Sequence, residues 1–499
     1  MAQTTLEEKI NESTKAKLQE LGTKLSKKER EGKQDGMSNN LEVGSSSKSL
    51  CNNKHDYRQQ AGPLNLASSA RIDLAVSQKA RALAEIEELQ RQKRWKDIVT
   101  LAYPLEEKYP LLVEMEMDIE LARTVSFALV QCSMHQKAMK LLEQVVQRVP
   151  EDYRLTYSVA YAAYDALYLH KNRESILSPR EKSQFLELAH KYFKKCCTLK
   201  PDNVNAYYRR AMLYKEIEDK PKKAIPLFEQ SIRNWERLSA DEKESRHYER
   251  PKYIKSIYHL AACYLRRSLA SKSLSLLEKL VKEDEATNFV SMPFKQFALG
   301  KTLFKLCRFK DALNHLQTAK VASQGARPPD YIVELTAGCL LMLNQPEEAL
   351  KEIDTISPKY QRPYVRWRRA DILSALGRPK EALSTLEEAL DRDGISKHKT
   401  LLRIARLRYG LGEYDNALLA AKKATSFYSH RYGNDLKDAR FMEAICHLGI
   451  GNPHKAKQIL ESLRREGFSC PGFSKALIET KRACAELEAK SCQKENLIH

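Results

Sequence analysis

The sequence predicts an all-α fold, an α-solenoid of about nine or ten helix–turn–helix repeats. Three observations lead to this prediction. From about residue 72, segments of about 12–18 residues carry apolar side chains at offsets of three and four, the spacing of an amphipathic helix. The short breaks between many of these segments contain prolines, which stop helices. One small or apolar residue also recurs in register along the chain, at intervals of 33–51 residues.

Residues 1–68 are predicted to be a flexible tail. Lys15–Lys33 is dense in charge, and Met37–Ser49 is rich in Ser, Asn and Gly with few large apolar side chains. Such a composition buries too little apolar surface to offset the entropy lost on ordering. We therefore expect the folded part of the chain to begin at about residue 69.

Residues 203–232 show the repeating unit most clearly, as two short amphipathic helices joined by a turn. Small and apolar residues share one face of each helix: Tyr207, Ala211 and Tyr214 on the first, and Ala224, Phe228 and Ser231 on the second. A single helical hairpin cannot bury both of its apolar faces by itself. It needs copies of itself on either side, and such copies are the basis of a solenoid.

The copies are found by aligning the second helices on one small or apolar position. That position is filled by Ile98, Ala138, Ala189, Ala224, Ser273, Ala312, Ala349, Ala382, Ala417 and Ala456. The turns that precede the later copies carry Asn344, Gly377, Gly412 or Gly451 in a common register. The recurrence predicts about ten hairpins between residues 69 and 468.

This pattern resembles the tetratricopeptide repeat, a helix–turn–helix unit of about 34 residues. Leu376–Ala382 and Leu411–Ala417 match its segment between the helices, Ala189–Pro201 matches its second helix and closing proline, and Arg209–Tyr214 matches its first helix. The resemblance covers residues 82–468. It implies a right-handed superhelix whose concave face is lined by the first helices and binds other proteins.

Two intervals between repeats are longer than the family unit, and the end of the chain departs from it as well. Insertions are expected around His170–Ser183, where Ser178–Pro179 would start a helix, and around Arg237–Arg250. Both insertions are charged and are expected to lie in solvent. Residues 469–499 are predicted to form a C-terminal capping helix, at about Ser474–Ser491, and a tail.

Composition and motifs restrict the class of function. No apolar run approaches the ~20 residues of a membrane span, and the first residues lack the pattern of a secretory signal, so we expect a cytoplasmic protein without a membrane partner. The eleven cysteines include no Cys-x-x-Cys pair, and no nucleotide-binding or catalytic motif occurs. We therefore predict no enzyme activity, catalytic residue, cofactor or metal.

The charge of the chain indicates its partner. The formal net charge is +20, and residues 1–70 supply only two of these charges, with 11 basic and 9 acidic side chains. Basic and aromatic residues alternate at the first-helix positions expected to face the groove. The predicted partner-binding residues are Tyr208, Lys215, Tyr258, Arg266, Phe297, Lys301, Lys305, Trp367, Arg368, Arg406 and Tyr409. This mixture favours a protein or an acidic peptide as the ligand of a scaffold or adaptor.

Two other functions remain open at this point. Basic and aromatic surfaces also bind single-stranded nucleic acid, so the chain could be a nucleic-acid-binding accessory protein. It could also be the regulatory subunit of a separately encoded enzyme. The sequence leaves the identity of the partner and the oligomeric state undetermined.

Overall fold

The structure is a computed structural model that describes residues 63–323 and 329–495. Within these residues there are 24 α-helices and no β-strand. The helices are α1 (Pro63–Arg91), α2 (Trp95–Ala102), α3 (Leu105–Lys108), α4 (Pro110–Glu114), α5 (Ile119–Gln131), α6 (His135–Arg148), α7 (Tyr153–Asn172), α8 (Pro179–Leu199), α9 (Val204–Met212), α10 (Pro221–Glu236), α11 (Ala240–Ser245), α12 (Arg250–Arg266), α13 (Ala270–Glu283), α14 (Met292–Lys305), α15 (Phe309–Ala322), α16 (Asp330–Met342), α17 (Pro346–Asp354), α18 (Pro363–Ala375), α19 (Pro379–Arg392), α20 (Lys397–Gly410), α21 (Tyr414–Tyr432), α22 (Lys437–Gly449), α23 (Pro453–Arg465) and α24 (Phe473–Glu495).

The helices form two compact units, whose boundary falls between Ser256 and Ile257. Unit 1 precedes this boundary and unit 2 follows it. In each unit, successive helices pack as hairpins and each hairpin packs on the next. The predicted all-α fold of stacked hairpins is therefore confirmed. None of the described helices is both long enough and apolar enough to cross a membrane.

The position on which the repeats were aligned is buried in every copy. All ten residues from Ile98 to Ala456 lie on second helices, and each has at most 1% of its surface exposed. These second helices are α2, α6, α8, α10, α13, α15, α17, α19, α21 and α23. A small side chain at this point lets the helix backbones approach closely, and the buried contact repeats from one hairpin to the next. The structure thus contains ten such hairpins within its described residues.

The turn inside each hairpin uses one residue in the left-handed backbone region. The sequence indicated this only at Asn344 and three glycines, but five other hairpins adopt the same geometry with non-glycine residues: Lys93, Ser133, Asp219, Ser268 and Cys307. Each of these lies five positions before the buried alignment residue, as do Asn344 and the glycines. Arg173 takes the left-handed conformation at the end of α7, where the insertion follows. The stacking of the helices imposes this turn even where the local sequence disfavours it.

The described part of the chain begins and ends with a long helix. Helix α1 begins at Pro63, and proline is well tolerated in the first turn of a helix. The rest of the predicted tail, residues 1–62, lies outside the described residues. At the other end, α24 packs against α22 and α23 and buries Phe473 and Cys484.

The first insertion is a helix extension. Helix α7 continues to Asn172, and α8 begins after Ser178 with a reciprocal cap. The Ser178 hydroxyl accepts a hydrogen bond from the amide of Glu181, whose carboxylate accepts one from the amide of Ser178. The predicted helix start is confirmed.

The second insertion is only partly solvated, so this expectation is wrong for its C-terminal end. Helix α11 is exposed, but Glu249 has only 1% of its surface exposed. Its carboxylate accepts hydrogen bonds from Arg246 (2.7 Å) and Asn203 (3.0 Å), and Arg246 also bonds Asp202 (2.7 Å). Burial raises the pKa of Glu249, and the charge of Arg246 opposes that shift. A buried network therefore attaches the inserted segment to the start of α9.

A buried ion pair organises the loop between α13 and α14 in unit 2. Asp284 is fully buried and Lys295 has 2% of its surface exposed. The Lys295 ammonium donates to the carboxylate (3.1 Å) and to the backbone carbonyl (3.0 Å) of Asp284. The same carboxylate accepts from the amides of Phe289 (2.7 Å) and Val290 (2.9 Å). One acidic side chain thus holds both ends of the loop.

We predict that Lys295→Met destabilises the protein by about 3 kcal/mol, because it leaves the Asp284 charge buried without its cation. Urea denaturation followed by circular dichroism measures the change. The control is Lys475→Met, which removes an exposed lysine paired with Glu479 on α24 and should leave the midpoint unchanged. Equal midpoints for the two variants would show that the buried pair contributes little to stability.

We predict that Cys307→Gly stabilises the protein by up to about 1 kcal/mol, because Cys307 is exposed and has a φ of 59°, which glycine adopts without steric cost. Replacement of the exposed Gln317, inside α15, by glycine should instead destabilise by about 1 kcal/mol. Thermal unfolding distinguishes the two signs. A loss of stability in Cys307→Gly would contradict the role assigned to the turn.

Candidate partner-binding site

The first helices of unit 2 share one continuous surface. Helices α14, α16, α18, α20 and α22 contact one another in consecutive pairs, whereas the second helices of neighbouring hairpins do so more weakly. Side chains that project from consecutive first helices are therefore close together. The predicted groove residues of unit 2 lie on α12, α14, α18 and α20.

Six basic side chains and two acidic ones interact electrostatically on this surface. They are Arg266, Lys301, Lys305, Glu334, Arg368, Asp371, Arg403 and Arg406, and we call this set the basic cluster. The set has a formal surplus of four positive charges. The structure thus brings together five of the predicted partner-binding residues, namely Arg266, Lys301, Lys305, Arg368 and Arg406.

Arg368 is the part of the basic cluster that the protein itself holds in place. Its Nε donates to the Glu334 carboxylate at 2.8 Å, and Asp371 lies 3.9 Å from its Nη1. The guanidinium lies across the backbone of α16 at Gly338, where an added Cβ would be 3.1 Å from it. The absence of a side chain at Gly338 therefore lets Arg368 reach its carboxylate partner.

Arg403 is held by an aromatic ring. Its guanidinium lies 4.9 Å from the centre of the Trp367 ring, and the Trp367 indole donates to the Thr400 hydroxyl at 2.8 Å. The Nε of Arg403 is buried and has no hydrogen-bond partner among the described residues. Burial lowers the pKa of Arg403, and repulsion from Arg406 and Arg368 lowers it further, against the attraction of Asp371. An added anion would relieve this repulsion.

Lys301 experiences the same repulsion at the other end of the basic cluster. Its side chain is reached by water, but the surrounding protein displaces enough water to lower its pKa. The neighbouring charge of Lys305 lowers the pKa further, and Glu334 opposes the shift. A surface that disfavours its own positive charges is suited to bind negative ones.

The other predicted residues of unit 2 are aromatic and half-buried. Phe297 meets the ring of Tyr331 edge to face at 4.6 Å, Tyr409 lies 5.1 Å from Tyr414, and Tyr258 lies 5.3 Å from His259. The contacts of Phe297 and Tyr409 join different helices, whereas Tyr258 and His259 are neighbours on α12. Contact of these three aromatic residues with a partner stays a prediction.

The two predicted residues of unit 1 are not free side chains. Tyr208 has 5% of its surface exposed and packs 6.2 Å from Phe228. Lys215 lies in the π-helical turn after α9, pairs with Glu216 and has 12% of its side chain exposed. Their role in partner binding also stays a prediction.

A comparison with known proteins agrees with this geometry. The model of the tetratricopeptide repeat matches residues 364–395, which form the hairpin of α18 and α19. The same buried position and the same turn recur in the other hairpins. The chain therefore contains a tetratricopeptide repeat. The fold of this family is, in general, that of a scaffold for protein interactions.

Solved structures with similar folds share little sequence with this tetratricopeptide repeat protein. Yeast Tom70 is 13% identical, with a TM-score of 0.41, over 85% of this chain and 99% of its own. The Cut9–Hcn1 assembly of APC/C is 14% identical, with a TM-score of 0.40, over 83% of this chain and 98% of its own. A tetratricopeptide repeat protein of Parabacteroides merdae is 12% identical, with a TM-score of 0.41, over 58% of this chain and 98% of its own. No curated protein matches this chain.

Sequence reasoning missed Glu334, which is central to the basic cluster of this tetratricopeptide repeat protein. Glu334 and Arg368 are 34 residues apart, close to one repeat length, and so occupy similar positions on consecutive first helices. A search for opposite charges one repeat apart would have found the pair. The described residues contain no group of His, Cys, Asp and Glu side chains that could hold a metal ion.

We predict that Lys305→Met raises the pKa of Lys301, because it removes a positive charge that disfavours the ammonium form. Nuclear magnetic resonance titration of methylated lysines reports this pKa directly. Lys310→Met, an exposed substitution on α15, is the control and should leave the value unchanged. An unchanged pKa in Lys305→Met would contradict the proximity of the two ammonium groups.

Proposed function

We propose that this tetratricopeptide repeat protein is an adaptor that binds an acidic segment of another protein on the basic cluster of unit 2. The observation that supports the proposal is the surplus of positive charge on adjoining first helices, where Lys301 and Arg403 both have lowered pKa values. Carboxylates of a bound segment would neutralise that surplus. No catalytic step is required for this function.

The arrangement of the arginines reduces the cost of binding. Arg368 is held by Glu334, and Arg403 is held against Trp367, so both guanidinium groups are already ordered before a ligand arrives. An ordered side chain loses less entropy when it forms a new bond. Lys301, Lys305 and Arg406 are exposed and would adapt to the spacing of carboxylates along the ligand.

The packing of the aromatic rings favours a peptide over a single-stranded nucleic acid. A nucleic-acid surface offers free ring faces on which bases stack. Here Arg403 covers the ring of Trp367, while Phe297 and Tyr409 pack against other tyrosines. Glu334 and Asp371 would also repel a continuous row of phosphates. Separate carboxylates on an extended peptide can avoid these two acidic groups.

We predict that the triple substitution Lys301→Glu, Lys305→Glu and Arg406→Glu weakens the binding of an acidic peptide on the order of 100-fold. These three side chains are exposed, so their reversal should leave the fold intact. The probe is a fluorescein-labelled peptide rich in glutamate, and fluorescence anisotropy measures its affinity. Arg368 is left unchanged because its pair with Glu334 belongs to the packing of α16 and α18.

The matched control reverses three exposed lysines on second helices, Lys310, Lys380 and Lys423, and gives the same net charge. Its affinity should remain within a few-fold of the unsubstituted protein. Equal weakening of both triple variants would show that net charge alone attracts the peptide. Tighter binding of labelled oligo(dT) than of the peptide, with steep loss of affinity in salt, would favour the nucleic-acid function instead.

A further inference from the structure

Unit 1 carries a row of five tyrosines that the proposed function does not use. The row consists of Tyr153, Tyr157, Tyr161, Tyr164 and Tyr168, on one side of α7. Their offsets of four, four, three and four place them on one face of the helix. Neighbouring ring centres are 6.0–6.4 Å apart, so the rings form a continuous aromatic strip.

Arg209 of α9 lies across the middle of this row. Its guanidinium is 5.0 Å from the centre of the Tyr161 ring, 5.4 Å from that of Tyr164 and 5.6 Å from that of Tyr208. The Nε of Arg209 is buried and has no hydrogen-bond partner among the described residues. The aromatic rings therefore position the cation and leave part of its hydrogen-bonding capacity unused.

Unlike Arg148 and Arg246, Arg209 has no ion pair with an acidic residue in the described part of the chain. Arg148 pairs with Asp118 at 2.7 Å, and Arg246 pairs with Asp202 and Glu249. Asp165, which lies 3.4 Å from the Tyr161 hydroxyl, is engaged by His135 at 3.0 Å. Arg209 therefore places a half-buried positive charge beside the tyrosine row, and this charge has no acidic partner among the described residues.

The hydroxyl groups of the row remain neutral donors beside this cation. Burial raises the pKa of Tyr157, and the charge and hydrogen bonding of Arg209 oppose the shift. Burial likewise raises the pKa of Tyr208 to about 12. A phenol that stays protonated can donate a hydrogen bond to an anion. The guanidinium and the hydroxyl groups therefore both offer hydrogen-bond donors to the same anionic ligand.

We infer that the tyrosine row and Arg209 form a second peptide-binding site, on unit 1, for a segment in which one carboxylate adjoins an aromatic side chain. The carboxylate accepts from the guanidinium, and the aromatic side chain packs on the exposed end of the row at Tyr168, which has 39% of its surface exposed. Tyrosine gives a large contact area at low cost in side-chain entropy. This site has one positive charge, on Arg209, and several aromatic rings, so its ligand specificity differs from that of the basic cluster, which has six positive charges.

The test uses the full chain with Lys301→Glu, Lys305→Glu and Arg406→Glu, so that failure at unit 1 is separable from failure of the basic cluster. The probe is a short fluorescein-labelled peptide in which one aspartate is flanked by two phenylalanines. A second peptide has asparagine in place of the aspartate. We expect the aspartate peptide to bind at least about tenfold more tightly than the asparagine peptide.

Two substitutions assign this preference to the row. Arg209→Met should abolish the difference between the two peptides, and Tyr168→Ala should weaken both peptides to a similar extent. Tyr248→Ala, at an exposed tyrosine outside the row, should change neither affinity. Circular dichroism verifies the fold of each variant.

Equal affinity of the two peptides for the unsubstituted row would overturn the inference. So would a preference that survives in folded Arg209→Met. If Arg209→Met fails to fold, Tyr168→Ala decides: unchanged affinity for both peptides rejects the site, and a loss that Tyr248→Ala does not share supports it.

Discussion

The close approach of two helices at one small second-helix residue is the constraint on which this structure depends. Ala224, Ala312 and Ala417 are each fully buried at that point. The facing first helix must also be narrow, and at Gly300 an added Cβ would be 2.8 Å from Leu316 and 3.2 Å from the carbonyl oxygen of Ala312. Because the interior is close-packed, a larger residue there would separate the helices and disturb the next hairpin as well.

This constraint also determines the geometry of the turns. Nine of the ten connections inside the described hairpins place one left-handed residue five positions before the buried residue. The left-handed residue therefore appears with glycine at Gly377 and with cysteine at Cys307. The steric cost at the non-glycine positions is accepted because the buried contact of the helices is worth more.

The inserted segments and long loops use buried charge for the same purpose of fixing position. Glu249 attaches the second insertion to α9 through Arg246 and Asn203, and Asp284 closes the loop before α14 through Lys295. These segments lack the repeating small residue, so apolar packing cannot define their position. Charged groups with several hydrogen bonds define it instead, since a displaced partner would leave a buried charge unsatisfied.

The sequence by itself determined the fold, because the contact that builds each hairpin depends on the size of the residue at a fixed helical offset. Residue size and spacing along the chain can both be read directly from the sequence. It also determined that Lys301, Lys305 and Arg406 would lie on exposed first-helix positions. Only the tertiary structure decided which charges meet. Arg368, which pairs with Glu334, lies against the open space at Gly338, and the position of Arg209 across the tyrosines of α7 depends on the packing of α9 beside them. Such contacts join side chains of different helices, so helical periodicity within one segment cannot reveal them.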